Sequence, residues 1–300
     1  MKKYSPVIAA QMAVRKNTRH GLSRHLFPAD AKSIVASVLT EAAHTSSLIQ
    51  FSKHLLNSKN KHLKNATQED SVEFLKLIAA TRKQSTVSLA RQAINLHLLA
   101  DATLAFVASQ VPTVEVDRAY TLAQINFLIA RASPSMALSI SLAFNGGLRG
   151  MELITLAPIN LVTPSPRPWL PDLFAGRGED SKFSVRGKGG LVREVRISAN
   201  LAEKLMAVAR PAPVQVSHRG SHLPSYFDLI AGQPFSISFG KLSMRFLGFS
   251  HGAHGLRHSF AQLRREELLC MGIGLKEATL ILSQELGHFD DKNTQAYLRD

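Results

Sequence analysis

Near its C-terminus the chain sets His254 and Arg257 three residues apart, follows them with Gly287-His288, and places Tyr297 nine residues further on. Residues three apart on a helix share a face, so His254 and Arg257 are able to meet one anion together. Upstream, Arg149 follows the pair Gly146-Gly147, and Lys188 stands in Gly187-Lys188-Gly189-Gly190. These residue types suit phosphodiester cleavage by a side-chain nucleophile. A phenol has a pKa of about 10 and is a weak nucleophile until its proton is taken. Guanidinium groups stay charged and hold non-bridging oxygens in a bidentate grip. A histidine accepts or shares the phenol proton, and a lysine protonates the leaving 5′ oxygen. Enough converging cationic donors make a metal unnecessary.

Each residue also has a plainer reading. Arg149 with Glu152 reads as a helical ion pair, Lys188 as a turn lysine, His258 as a core histidine and Tyr297 as a buried aromatic near the chain end. The glycines around Lys188 lack the spacing of a phosphate-binding loop, and no Ser or Thr follows the lysine. His251, His254 and His258 have the spacing to present a metal on one helical face, but no acid lies within the next turn to complete such a site. The reading is therefore of a site without metal or cofactor. The ordered set of Arg149, Lys188, His254, Arg257, His288 and Tyr297 supplies one mechanism's full equipment.

The elements that must position these groups are mostly helical. The sequence has 300 residues, a 45% apolar fraction and a formal charge of +14, which allows one large or two ordinary domains and points to a polyanion, above all nucleic acid, as partner. No apolar run of about 18 residues is present, so no membrane span is expected, and the Met-Lys-Lys-Tyr-Ser-Pro start does not read as a secretory signal. The single cysteine, Cys270, excludes an internal disulfide framework and any Cys-rich zinc site. Residues 1–30 carry Lys2, Lys3, Arg15, Lys16, Arg19 and Arg24 against one acid, Asp30. They read either as a mobile basic arm or as a helix docked elsewhere. Residues 31–110 show helical apolar spacing and predict a four- or five-helix domain. Its helices run through Ile34–Leu39, Leu48–Leu56, Ser71–Ile78 and Ser85–Val107. Lys59, Lys61, Lys64, Arg82, Lys83 and Arg91 are its candidate DNA contacts. Ser109 to Asp117 breaks the helical period and contains a proline, and residues 111–117 read as a linker.

Residues 118–300 predict a second, mostly helical domain with one small antiparallel sheet. Helices are expected over 121–132, 134–144, from Leu148, and from Asn200 to Arg210. Further helices are expected over 236–247, 254–271 and 275–286. Pro158 to Pro171 holds five prolines and predicts loop, Ser181 to Ser198 a hairpin around the Lys188 turn, and Pro211 to Pro234 an irregular stretch.

At these residues the chain resembles the tyrosine recombinases, the phage-integrase family. The resemblance is carried by Gly147-Leu-Arg149-Gly-Met-Glu152-Leu153, by Val185-Arg-Gly-Lys188-Gly-Gly-Leu-Val-Arg193, by His254-Gly-Leu-Arg257-His258-Ser-Phe260, and by Leu286-Gly-His288 with Tyr297. It spans the second domain, and the helical block at 31–110 looks like the family's core-binding domain by pattern and position. The resemblance implies that Tyr297 attacks the scissile phosphate to form a 3′-phosphotyrosyl link. It implies that Arg149 and Arg257 clamp the phosphate, His254 and His288 hydrogen-bond it and help move the proton, and Lys188 is the general acid. Glu152 would support Arg149, with His258 in a lesser supporting role. It further implies specific double-stranded DNA sites, a homotetramer on paired sites, accessory DNA-bending or directionality proteins, no ATP or metal, and a cytoplasmic, nucleoid-associated bacterial setting on a mobile element. Relaxation of one duplex in the manner of type IB topoisomerases and purely architectural DNA binding are the alternative readings. The stretch from Arg257 to His288 is longer than the family pattern. The sequence also stops three residues past Tyr297, where the family usually continues into a tail helix that docks on a neighbouring subunit.

Overall fold

The structure, a computed structural model, describes residues 4–20, 34–99, 103–112, 117–289 and 292–298. Lys2, Lys3, Arg24 and Asp30 of the basic N-terminal stretch lie outside these residues. The chain divides into two units, Met1–Glu115 and Val116–Asp300.

The first unit is helical. Helix α1 (Pro6–Arg15) opens with a proline in its first turn, and the Ser5 side chain caps it by accepting from the Ile8 amide. Its Ala10 and Val14 enter the unit's core beside Leu48, Phe51 and Leu55. The described part of the first 30 residues therefore takes the docked-helix form, and the helical unit begins well before residue 31. Helix α2 (Val38–Lys59) joins Leu39 and Leu56 in one element, where the sequence predicts two. Ile34 and Val35 precede it, and Val35 bridges Thr18. Asn60 ends α2 in the left-handed conformation. Helix α3 (Gln68–Ala79) starts at a capping box in which Thr67 accepts from the Asp70 amide and Asp70 accepts from the Thr67 amide. Helix α4 (Gln84–His97) stops ten residues short of Val107. Beyond it Leu104 is buried outside any helix, its amide donating to Asn95 and its carbonyl accepting from Arg91. Ser109 is also tied to this unit, through Gln84 and the Arg82 carbonyl.

The second unit packs helices around two small antiparallel sheets. Helices α5 (Leu122–Arg131, with a Thr121/Gln124 capping box) and α6 (Pro134–Asn145) bury Ile125, Leu128, Ile140 and Leu142. The predicted helix from Leu148 does not form. Residues 150–154 are a series of turns leading into β1 (Ala157–Pro158). Strands β2 (Ser181–Arg186) and β3 (Val192–Ile197) make the expected hairpin, with β1 on the β2 edge. Helix α7 (Ala199–Met206) ends before Arg210 and has no side-chain cap from Asn200 or Glu203. The stretch expected to be irregular forms a second hairpin, β4 (Ala209–His218) and β5 (Ser221–Phe227). Helices α8 (Gly232–Leu247), α9 (His254–Cys270), α10 (Leu275–Glu285) and α11 (Lys292–Gln295) complete the unit. Among the described residues the fold is thus mainly α, with two antiparallel sheets in place of one.

Candidate active site

Three segments of the second unit converge on Glu152. The turn after α6 places it: Gly147 has φ +58°, and a Cβ there would lie 2.5 Å from the Phe260 ring, so only glycine fits between α6 and α9. The Arg149 amide then donates to Glu152 Oε2 (2.9 Å) and its Nη1 to Oε1 (2.7 Å). Arg193 on β3 donates Nη2 to Oε2 at 3.0 Å, and Arg257 on α9 approaches the same oxygen at 3.4 Å. Glu152, Arg193 and Arg257 are buried.

The end of α10 fixes the two buried arginines. A helix leaves its last carbonyls without partners inside the helix. Here the Glu285 carbonyl accepts from Arg193 Nη1 at 2.6 Å and the Leu286 carbonyl accepts from Arg257 Nη2, while Arg257 Nη1 donates to the Gly147 carbonyl. Gly287 follows with φ +75°, where a Cβ would meet Arg193 Cδ at 2.9 Å. This turn delivers His288, whose Nε2 accepts from Arg149 Nη2 at 2.9 Å. Guanidinium groups only donate, so His288 carries its proton on Nδ1. That proton faces Thr294 Oγ1 at 3.1 Å, and the Thr294 hydroxyl donates to Ser283 at 2.9 Å. The α10 end is itself clamped: Arg264 on α9 holds the Glu285 carboxylate through Nε (3.0 Å) and Nη2 (2.9 Å), and the Phe174 amide donates to it.

The phenol of Tyr297 completes the cluster. Its hydroxyl lies 3.2 Å from His254 Nε2 at the start of α9. Its ring packs between His258 (4.6 Å between centroids) and His288 (5.8 Å), with the Arg257 guanidinium carbon 5.6 Å from its centre. A cavity of about 360 Å³ opens here, lined by Arg149, Arg193, Gly187, His288 and Tyr297 among others, with Glu152 its single acid.

The electrostatics follow from burial and from the guanidinium groups. Burial alone would raise the Glu152 pKa, but Arg193, Arg257 and Arg149 together hold it at about 2. Burial lowers Arg257 to about 10, against the opposing pull of Glu152, so it stays charged at neutral pH. Burial would also lower Arg149, but Glu152 and the Tyr297 hydroxyl raise it. Burial, reinforced by Arg257 and other cations, depresses both His254 and His288 to about 4. Both are therefore neutral and able to accept a proton or a hydrogen bond near pH 7. The site combines a phenol beside a neutral imidazole with cationic donors around an open cavity, which suits binding of an oxyanion and displacement at it.

The structure brings together Arg149, Glu152, His254, Arg257, His258, His288 and Tyr297. Lys188 lies in the turn between β2 and β3, next to the cavity-lining Gly187, and its side chain is outside the described residues. Among the described residues no group of three or more His, Cys, Asp or Glu is placed to hold a metal. His251 packs on Tyr120 and Phe249. In the first unit Lys59 and Lys61 both pair with Asp70, at 2.8 and 2.6 Å, and Lys59 also pairs with Glu73. Arg91 is spent on the Leu104 carbonyl. Lys64, Arg82 and Lys83 are exposed. Arg193, absent from the expected site, is the residue that sequence reasoning missed. Its signal was a charge on the same strand face as Val195 and Ile197, which point into the core.

No protein-family model matches this chain, and no curated protein matches its sequence. Solved structures do resemble it. XerH site-specific recombinase, in a post-cleavage complex with a palindromic difH substrate, is 14% identical with a TM-score of 0.58, over 100% of this chain and 94% of that one. A lambda integrase tetramer bound to a Holliday junction is 14% identical with a TM-score of 0.54, over 99% and 82%. A lambda integrase dimer on a COC′ core site is 17% identical with a TM-score of 0.51, over 100% and 82%. The fold is that of the tyrosine recombinases. Among the described residues no helix is long and apolar enough to cross a membrane.

Proposed function

We propose that the protein is a site-specific DNA recombinase that cuts and rejoins double-stranded DNA through a 3′-phosphotyrosyl intermediate, in the integration or excision of a mobile element. The observation that carries this reading is the Tyr297 hydroxyl 3.2 Å from His254 Nε2, at a pocket that Arg149, His288 and Arg193 also line or border. In the forward step the Tyr297 oxygen forms a bond to phosphorus as the bond to the 5′ oxygen breaks. The phenol proton passes to neutral His254. Arg149, oriented by its bond to His288 Nε2, holds the non-bridging oxygens, and Arg257, locked beneath the phenol, adds positive charge as negative charge builds on them. Lys188 protonates the departing 5′ oxygen. One phosphoester is exchanged for another, so rejoining to a new 5′-hydroxyl runs the same steps backwards and needs no ATP or metal. The neighbouring structures on DNA, one of them a tetramer on a Holliday junction, support a homotetramer on paired sites. Accessory DNA-bending proteins would set direction.

The test uses nicked suicide substrates drawn from DNA flanking the coding sequence. A covalent protein–DNA adduct in the wild type that disappears in Tyr297→Phe, with DNA binding retained, supports the reading. Tight binding with no adduct means an architectural protein. An adduct with plasmid relaxation but no two-site product means a topoisomerase-like activity.

A further inference from the structure

The proline-rich loop has no part in the cleavage chemistry, yet it is firmly built. Ser165 exchanges hydrogen bonds with Val192 on β3, its amide donating at 2.9 Å and its hydroxyl accepting at 3.1 Å. Gln284 on α10 accepts from the Leu170 amide at 2.8 Å. The chain's single tryptophan, Trp169, is fixed by donation from its indole to the Ser165 carbonyl at 3.1 Å. The loop thereby sets Trp169 against Phe289, with ring centroids 5.1 Å apart and planes tilted by 47°. Arg167 places its guanidinium carbon 5.8 Å from the Phe289 centroid. Phe289 directly follows His288, and 47% of it is exposed.

An apolar core does not require this arrangement. A large aromatic ring held half in solvent costs free energy unless something covers it. Here it is buttressed from behind by a fixed indole and flanked by an exposed guanidinium, one residue from a group that bonds Arg149. An aromatic face beside a cation is the pattern that receives bases, because every base has a π face and every nucleotide a negative charge. We infer that Phe289, backed by Trp169 and flanked by Arg167, is a stacking platform for an unpaired nucleobase next to the bound phosphate. Its placement beside a scissile phosphate rests on the proposed function; its chemistry as a base-binding surface does not. In that setting the platform would hold the base that must leave its partner when a cut strand moves to a new duplex.

Trp169 reports on the platform directly, since no other tryptophan contributes. The full-length protein is titrated with a short oligothymidylate, whose bases are largely unstacked in solution, and with an abasic deoxyribose-phosphate oligomer of equal length and charge. The expected result is quenching of Trp169 fluorescence by oligothymidylate, with affinity above that for the abasic oligomer. Phe289→Ala should weaken oligothymidylate binding about 5- to 100-fold and leave abasic binding unchanged. Phe289→Leu, which keeps apolar bulk without a π face, should behave like the alanine variant. Equal affinity for the two oligomers overturns the inference, as does full binding in Phe289→Leu. So does a change of oligomeric state in Phe289→Ala with base preference intact, which would make the ring a protein contact. Because no cleavage is measured, loss of the Tyr297 adduct and loss of base preference are separate results.

Discussion

Glu152→Gln tests the electrostatic centre of the site. The carboxylate receives four donors, from the Arg149 amide, Arg149 Nη1, Arg193 Nη2 and Arg257 Nη1. Glutamine has nearly the shape of glutamate, so the substitution removes the charge and turns one of the two acceptor oxygens into a donor. The wild-type carboxyl is held at about 2 against an ordinary value of 4.5. A shift of that size corresponds to roughly 3 kcal/mol between its charged and neutral forms. Removing one partner of a buried ion pair independently suggests about 3–5 kcal/mol. The two routes agree because both measure what Arg193 and Arg257 lose when left charged and buried without their counter-ion. For a unit of this size, about 3 kcal/mol lowers the melting temperature by about 6–12 °C.

The assay is urea denaturation followed by Trp169 fluorescence, which reports the second unit alone. The sign of the pH dependence supplies an internal control. Glu152 has a depressed folded-state pKa, so its contribution is present above about 4.5 and is lost as pH falls through 2. Wild-type stability should fall in that window, and Glu152→Gln should not share that fall. A loss under about 1 kcal/mol at pH 7, or a variant whose acid profile matches the wild type, would refute the claim that this carboxylate neutralises the buried guanidinium groups.

Three further outcomes follow from the same geometry. His254 and His288 sit near 4 in the folded protein against 6.5 in a free chain, with burial the first cause. The unfolded state therefore takes up protons first, and stability should decline as pH falls from about 6.5 to about 4. Adduct formation should stay level from pH 8 to about 5 and drop below it as His254 becomes charged; an activity midpoint near 6.5 would show that His254 is not held neutral. For the buried clamp, Arg264→Met and Glu285→Gln should each cost about 3–5 kcal/mol and reduce cleavage more than DNA binding. The double variant should lose less than the sum by about 1–3 kcal/mol, and strict additivity in a double-mutant cycle would sink the idea that the pair positions the end of α10.

Much of this was legible before any coordinates. Apolar spacing marked α3, α5, α6, α9 and α10. The first hairpin was readable because Phe183, Val185, Val195 and Ile197 keep a two-residue period around a glycine turn. The second hairpin was not, for a physical reason: most of β4 is exposed, so no apolar alternation forms. Pro211, Pro213 and Pro224 also read as loop, although prolines are tolerated where a strand has a free edge. Leu148 to Leu153 looked helical from its side chains. Its course is instead set by left-handed Gly147 and by the Glu152 carboxylate, which captures the Arg149 amide.

In the site, residue types were legible and partners were not. Arg149 and Glu152 are close in sequence, so their pairing was open to inspection. Arg193 and Arg257 reach Glu152 from 41 and 105 residues away, and each takes its second anchor from a backbone carbonyl at the end of α10. A carbonyl has no sequence signature, since every residue carries one. What makes the Glu285 and Leu286 carbonyls special is that their helix stops there, which leaves them open as acceptors just where Gly287 turns the chain to deliver His288. The same helix end thus orients two guanidinium groups and one imidazole. That is why the Arg264–Glu285 pair, remote from the phenol, belongs to the argument about reactivity as much as to the argument about stability.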